Sequence, residues 1–402
     1  QAGEIIRMPT LVNTLTRMVA AEREAASQGR EAGIVAARDR FYRGDIAQEM
    51  VAFLQAHGAP FEADDFADFY ARVEEPTSTT YRSYTVYKQS FNSQGPALLQ
   101  MLNILEGFDM ASFGHNTAPY IHHLSEAMRR AYKERAEYLG DVDFVDVPIK
   151  ELLSEEYLTH RRGLIDPDVA WPGTPPAGDP RNRKATLNGG PQSPKDAPVP
   201  VATAGATGGG TSYFAVIDRD GNIFSSTPSE GTKNGGPIIP GTGLAFSMRG
   251  SQSKLDEAAP ASVAGGKRPR LTPAPALVLR EGEPVIALGA HGGDHIPQGT
   301  LQLLLNMLEF GRDPQEAVEE PRFYSYNFPF STLPSIYDPF LLRFAFPISF
   351  YSSDSLPCSF PTLLPFPAFF ASSSLSFPFP PHPPTPPLLF RPHPPPPSSL
   401  LP

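Results

Sequence analysis

Cysteine is nearly absent. The chain of 402 residues has one, Cys358, which excludes a disulfide framework and a Cys-ligated zinc site. Basic residues are in deficit, 33 Lys and Arg against 43 Asp and Glu for a net charge of −10, so a nucleic-acid partner, which requires a basic face, is not expected. The chain begins at Gln1 with no signal-peptide pattern. No transmembrane segment is expected: the longest uncharged run, between Asp354 and Arg391, is interrupted by Pro357, Pro361, Pro365, Pro367 and Pro378, which break any helix through it. Charge is scarcer still beyond about Pro329, where only Asp338, Arg343, Asp354 and Arg391 are charged in a mixture of Pro, Phe, Ser and Leu. That stretch has no period and no polar face, so a disordered tail is expected. Its four dominant residue types have common codons that begin with two pyrimidines, as translation of a pyrimidine-rich non-coding stretch would give; a true Pro-rich interaction tail is the other reading.

What is present divides into four segments. Residues 1–166 read as mostly helical. Asp45 is placed to cap a helix with Ile46, Met50, Val51 and Leu54 on one face, ended by Gly58. Asp64 starts another, carrying Phe66, Phe69 and Tyr70. Tyr81 to Tyr87 alternates as one short strand. Leu98, Leu99, Leu102 and Leu105 mark a buried helix. A longer helix from Asn116 turns Ile121, Leu124, Met128 and Tyr132 inward and Arg129, Arg130, Lys133 and Arg135 outward. His115, His122 and His123 read as structural or surface residues. Residues 167–210 are rich in Pro, Gly, Asn and Ala and read as a flexible linker. Residues 211–325 form a second module, with hairpins turning at Asp220-Gly221 and around Gly282, then a helix over Gln298 to Phe310. Residues 326–402 are the low-complexity tail.

Two motifs carry chemistry. Thr211 follows Gly208-Gly209-Gly210 and opens a strand read as buried. A hydroxyl there can attack the Gly210 carbonyl and release a new N-terminal threonine, whose α-amine, with a pKa near ~8, serves as base for its own hydroxyl; a threonine opening a strand is otherwise structural. Gly292 and Gly293, in Gly289-Ala290-His291-Gly292-Gly293-Asp294, lie between a strand and a helix. Paired glycines there form either an anion-binding backbone nest, usable as an oxyanion hole, or a plain turn. His291, Asp294 and His295 form a weaker candidate metal set.

At Thr211 to Asn222, Arg268-Pro269, Gly292-Gly293 and Glu319-Glu320-Pro321-Arg322-Phe323 the sequence resembles the small subunit of the gamma-glutamyltransferase family. Phe41 to Ala47, Leu102 to Phe108 and Tyr138 to Pro148 resemble its large subunit, so the resemblance covers roughly residues 2–325. It implies an α/β N-terminal nucleophile hydrolase fold, an αββα sandwich, incomplete here, made as a proenzyme that splits into large and small subunits. By position it makes Thr211 the nucleophile, Gly210–Thr211 the scissile bond, Gly292 and Gly293 the oxyanion glycines, and Ser229 the counterpart of a second threonine that hydrogen-bonds the nucleophile. The reaction it implies needs no metal or organic cofactor, and its partner is a small-molecule amide.

The departures concern substrate. A Ser-Ser pair after the Arg-Pro motif becomes Leu271-Thr272, an Asn becomes Gly231, and an Asp falls near Gln252. Arg249-Gly250 and Gly293-Asp294 with Gln298 resemble a divergent branch that includes oxamate-amidohydrolase-like and acylase-like members. Arg249 is then placed to take the substrate carboxylate, or is an exposed salt-bridged arginine; Arg270 is a second cation for the same task. Asp294, Thr272 and Gly231 complete the expected substrate-binding set. The chain reads as an interior fragment of a proenzyme. The expected activity is that of an N-terminal-threonine amidase or acyltransferase, with a non-catalytic truncated product or pseudoenzyme as the alternative.

Overall fold

The computed structural model describes residues 5, 7–89, 91–182, 211–229, 237–247 and 249–325, the last apart from the Ser251 side chain, together with the backbone of 342–345. The chain divides into two units, Gln1–Tyr351 and Ser352–Pro402. The second lies wholly outside the described residues, as do Gly210, Gly231, residues 183–210 of the expected linker and most of the expected tail.

In chain order come α1 (Pro9–Ala25), α2 (Arg30–Tyr42), α3 (Asp45–Ala56), α4 (Ala63–Ala67), β1 (Thr77–Tyr81), β2 (Tyr84–Lys88), α5 (Gly95–Glu106), α6 (Met110–Phe113), α7 (Ala118–Tyr138), α8 (Ile149–Leu152) and α9 (Glu155–Arg162). After residue 210 come β3 (Phe214–Ile217), β4 (Ile223–Ser226), β5 (Ile238–Ile239), β6 (Leu244–Ala245), β7 (Ala276–Arg280), β8 (Glu283–Leu288), α10 (His295–Leu308), α11 (Pro314–Glu319), β9 (Arg322–Ser325) and β10 (Leu342–Ala345). The last falls inside the stretch read as tail, and its backbone pairs antiparallel with β9.

The principal sheet has the order β1-β2-β7-β8, antiparallel throughout. Its central pair joins the two sides of Thr211: Tyr84 to Lys88 on β2 meet Arg280 to Ala276 on β7. α5 packs on β1 and β2 and is flanked by α7, α9 and α10. Its residues Gly95 to Leu105 are all buried, because Leu98, Leu99, Met101, Leu102, Ile104 and Leu105 spread an apolar surface around most of the helix that must be enclosed by other elements. A second, smaller core under α3 gathers Ile46, Met50, Val51, Leu54, Phe66 and Ile239.

Several local expectations are revised. Tyr81 to Tyr87 is not one strand: the chain reverses at Arg82 and Ser83, with Arg82 at φ +54°, and Tyr81 pairs with Tyr84. Asp45 does not cap α3. It is the first helical residue, and its carboxylate takes Arg40 Nε at 2.5 Å and Arg17 Nη2 at 2.5 Å instead. α4 stops at Ala67, leaving Phe69 and Tyr70 exposed. The long helix starts at Ala118 and is capped by Thr117. On it Arg129, Arg130 and Arg135 are buried rather than outward, because acids are buried with them: Glu126 lies 2.5 Å from both Arg129 Nη1 and Arg130 Nη1, and Asp294 takes Arg135. β3, read as buried, exposes Phe214, Val216 and Ile217, since it pairs with β4 alone among the described strands.

Candidate active site

Thr211 lies just ahead of β3 and forms an isolated antiparallel bridge with Ser229, just past β4. The β3–β4 hairpin, turning through Asp218 to Gly221 with Gly221 at φ +83°, sets this pairing. Thr211 Oγ1 lies 2.6 Å from Ser229 Oγ. Arg249, 8% exposed, donates from Nη2 to that same Ser229 Oγ and from Nη1 to Thr272 Oγ1 at 2.9 Å. In the amide orientation that satisfies both neighbours, Gln252 also accepts from Arg249 Nη1 at 2.6 Å and donates to the Arg270 carbonyl at 2.6 Å.

The network continues to the glycine pair. Gln94, at the N-terminus of α5 and fully buried, donates from Nε2 to the Thr272 carbonyl and to the Gly293 carbonyl, each at 2.9 Å. An unbroken hydrogen-bonded path therefore runs Thr211–Ser229–Arg249–Thr272–Gln94–Gly293. Gly292 at φ +103° and Gly293 at φ +62° hold a turn that L side chains rarely adopt. Their carbonyls accept from His295 N–H and Ile296 N–H at 3.1 Å, starting α10. Neither glycine N–H has a carbonyl acceptor among the described residues. At the head of α10 those donors also have the positive end of the helix dipole behind them. Gly289, at the end of β8, packs so closely on the Tyr213 ring that a Cβ there would fall 2.3 Å from it; Tyr213 in turn hydrogen-bonds Ser225 at 3.0 Å.

Behind the glycines lies a buried charge cluster. Asp294 Oδ1 is 2.8 Å from Arg135 Nη1 and 3.8 Å from Arg270 Nη2. Arg135 also donates to Gln94 Oε1, and Tyr132 donates to the Asp294 carbonyl at 2.6 Å. Burial, reinforced by the neighbouring charge of Arg135, pushes Arg270 down to about 9.

Of the expected site residues, the fold thus brings together Thr211, Ser229, Arg249, Thr272, Gly293 and Asp294, with Gly292 beside them. Arg249 is buried rather than exposed, and it organises two hydroxyls. Asp294 is held by arginine. His291, Asp294 and His295 do not converge: no group of three potential metal ligands occurs among the described residues, and His295 stacks on Tyr324 at 4.4 Å. Gln94, Tyr132 and Arg135 were not anticipated as part of the site. The signal available for Gln94 was a polar residue at the mouth of a predominantly apolar helix.

Residues 1–335 match the gamma-glutamyltranspeptidase family. A glutathione hydrolase-like YwrD proenzyme from Bacillus subtilis (strain 168) is 33% identical over 71% of this chain and 49% of its own length. A solved structure of LmbA2991 superposes with a TM-score of 0.73 at 33% identity, covering 84% of this chain and 59% of the other. A cephalosporin acylase from Bacillus halodurans superposes with a TM-score of 0.59 at 29% identity, covering 74% of this chain and 49% of the other. The fold is that of the N-terminal nucleophile hydrolases. The chain belongs to the gamma-glutamyltranspeptidase family, whose members are hydrolases and transferases. It spans about half the length of the curated relatives it matches. No described helix is long and apolar enough to cross a membrane.

Proposed function

We propose that this chain is the catalytic part of a self-processing amidase or acyltransferase with Thr211 as nucleophile. The observation that carries the reading is the contact of Thr211 Oγ1 with Ser229 Oγ at 2.6 Å, with the Arg249 guanidinium on the far side of Ser229. Arg249 can only donate. It fills one of the two acceptor positions of Ser229 Oγ and leaves the Ser229 proton available for donation to Thr211 Oγ1. A positive charge is relayed through one hydroxyl to the oxygen on which negative charge develops when it loses its proton.

In maturation, Thr211 Oγ1 bonds to the Gly210 carbonyl carbon and the C–N bond breaks, its nitrogen taking the proton. Water then cleaves the resulting ester, leaving a Gly210 carboxylate and a free Thr211 α-amine. In turnover that amine, with a pKa near ~8, takes the Thr211 proton and delivers it to the leaving amine of the substrate. The acyl-enzyme passes to water or to an amine acceptor. The Gly292 and Gly293 N–H groups receive the oxyanion. The substrate is a small amide bearing a carboxylate and no α-ammonium: among the described residues on the path from Thr211 to Gly293 there is no acid to face an ammonium, and Asp294 is engaged by Arg135.

Thr211→Ala is expected to leave a single uncleaved chain without amidase activity, and Thr211→Ser to process, as read by intact mass. Efficient cleavage of the alanine variant at the same bond would point to an external protease and end the autocatalytic reading. The alternative, a non-catalytic chain, draws on the exposed apolar side chains Phe214, Val216, Ile217 and Phe224 of the β3–β4 hairpin. An unsplit wild-type chain is the outcome that favours it.

A further inference from the structure

Arg270 is a buried guanidinium with donors to spare. Its side chain is 5% exposed, and neither Nε nor Nη2 has a hydrogen-bond partner among the described residues. These two nitrogens form one edge of the guanidinium fork, the edge whose parallel N–H bonds match the two oxygens of a carboxylate. Asp294, the nearest carboxylate, does not fill it. Its Oδ1 stands 3.8 Å from Nη2 and is drawn to Arg135 at 2.8 Å. Lys254 adds a third cation: burial, and then the charges of Arg270 and Arg135, push its ammonium downward.

The Arg270 backbone is tied to the site by its neighbours. The Arg270 carbonyl receives Gln252, whose other amide atom meets Arg249. Two residues on, Thr272 takes Arg249 on its hydroxyl and Gln94 on its carbonyl. Asp294 directly follows the Gly292–Gly293 turn. The Arg270 backbone is therefore joined through Gln252 to Arg249, and its Nη2 lies 3.8 Å from the carboxylate of the residue that follows the glycine turn. Arg249, the other candidate cation, is committed to Ser229 and Thr272.

We propose that Arg270 is the specificity-determining residue that receives the substrate's carboxylate, through its Nε–Nη2 edge, and that it rather than Arg249 replaces the missing serine pair. This rests on the reading of Thr211 as nucleophile, since it names the substrate anchor of that same site. A buried cation that shares one carboxylate with Arg135 and has two donors without a hydrogen-bond partner is costly in the empty protein and is relieved when an anion docks.

The test compares the purified chain with Arg270→Gln and Arg270→Lys, using glutarate as the binding probe, and glutaric monoamide and its neutral diamide as substrates. Glutarate is expected to raise the thermal midpoint of the wild type, and neutral glutaramide is not. Arg270→Gln should split at Gly210–Thr211 as the wild type does and lose the glutarate response. Its KM for the monoamide should rise about tenfold to a hundredfold, the loss of a charged two-point contact. Its kcat and its KM for the diamide should hold. Arg270→Lys, which keeps the charge and loses the edge, should fall between and serves also if the glutamine variant does not fold.

An unchanged glutarate shift or an unchanged preference for the monoamide in either folded variant overturns the proposal, as does a wild type whose midpoint is indifferent to glutarate. The two readings fail separately. A chain that never splits but loses its glutarate shift with Arg270 retains the subsite and loses the threonine chemistry. A chain that splits and turns over the monoamide regardless of Arg270 retains the chemistry and loses the subsite.

Discussion

Arg268 brings both its backbone N–H and its guanidinium to the carboxylate of Asp141, 127 residues upstream: the backbone nitrogen lies 2.8 Å from Oδ2, and Nε and Nη2 lie 3.1 and 2.8 Å from Oδ1. A further bond of 2.6 Å joins Arg268 Nη1 to Glu74. This clamp ties the segment before Thr211 to the one after it, at a side chain, Asp141, that is only 1% exposed.

Asp141→Asn is therefore expected to lower stability by about 3 kcal/mol, the lower end for breaking a buried pair because Arg268 keeps some solvent contact. Burial alone would raise Asp141; the hydrogen bonds from Arg268 outweigh it and hold the carboxyl below its ordinary value. A depressed acid contributes stability that is complete above the unfolded value near ~3.9 and is lost as pH falls through the folded one. The wild-type advantage over Asp141→Asn should thus narrow below about pH 4. Parallel acid limbs in denaturant titrations of the two proteins would contradict this assignment.

Lys88 gives a dependence of the same sign in a more alkaline window. Its Nζ donates to the Ala274 carbonyl and it is 2% exposed, and burial pushes it down to about 7. An unfolded lysine titrates near ~10.4, so between about pH 7 and about pH 10 the unfolded chain binds the extra proton and folding stability rises with pH. Lys88→Met removes this dependence. Its thermal midpoint relative to wild type should be more favourable at pH 6 than at pH 9. Comparing two pH values cancels the fixed cost of leaving the Ala274 carbonyl unpaired. An equal difference at both would mean that Lys88 titrates normally.

Ser229 is the hinge of the proposed charge relay. Ser229→Ala should slow both self-cleavage and turnover about 10- to 100-fold, as expected for a lost charge-assisted hydrogen bond. Ser229→Thr should retain both. Time courses by intact mass and by amide hydrolysis read the two effects, and an alanine variant as fast as wild type would remove Ser229 and Arg249 from the mechanism.

The glycine turn separates conformational from steric cost. A Cβ on Gly293 meets nothing within 4 Å among the described residues, whereas one on Gly292 approaches His295 Nδ1 at 3.4 Å. At Gly293 only its φ of +62° resists a side chain, at about 1–2 kcal/mol for alanine. Gly292→Ala, at φ +103°, should reduce turnover more than Gly293→Ala, and Gly293→Asn should be the mildest. The order is read by kcat alongside thermal midpoint. At Gly289 the obstacle is the Tyr213 ring, so Gly289→Ala should cost about 1–3 kcal/mol by overpacking.

The sequence disclosed Thr211 and the glycine pair because each sits in a local pattern, a glycine run before a strand and a strand-to-helix joint, whereas Ser229 came only from the resemblance to the family. It did not disclose their connections. Gln94 meets Gly293 across 199 positions, and Arg135 meets Asp294 across 159, and no local period encodes such a distance. For the same reason the arginines of α7 looked like a solvated face, since the acids that neutralise them lie partly on α7 itself and partly on α10. The hairpin at Arg82 was hidden because its turn uses a positive-φ arginine where glycine or asparagine would have announced it.

The pairing of β2 with β7 sets an order of events. Residues 84–88 and 276–280 lie on opposite sides of Gly210–Thr211 yet share one ladder, so a cut at that bond would leave two polypeptides woven into one sheet. Gln94 and Gly293 likewise come from opposite sides of the bond. The machinery that would make the cut is complete only after the strands have met. Scission would then act as a seal, applied only to chains that have reached the native topology, and the ratio of split to intact protein in a cell would record how many chains had folded.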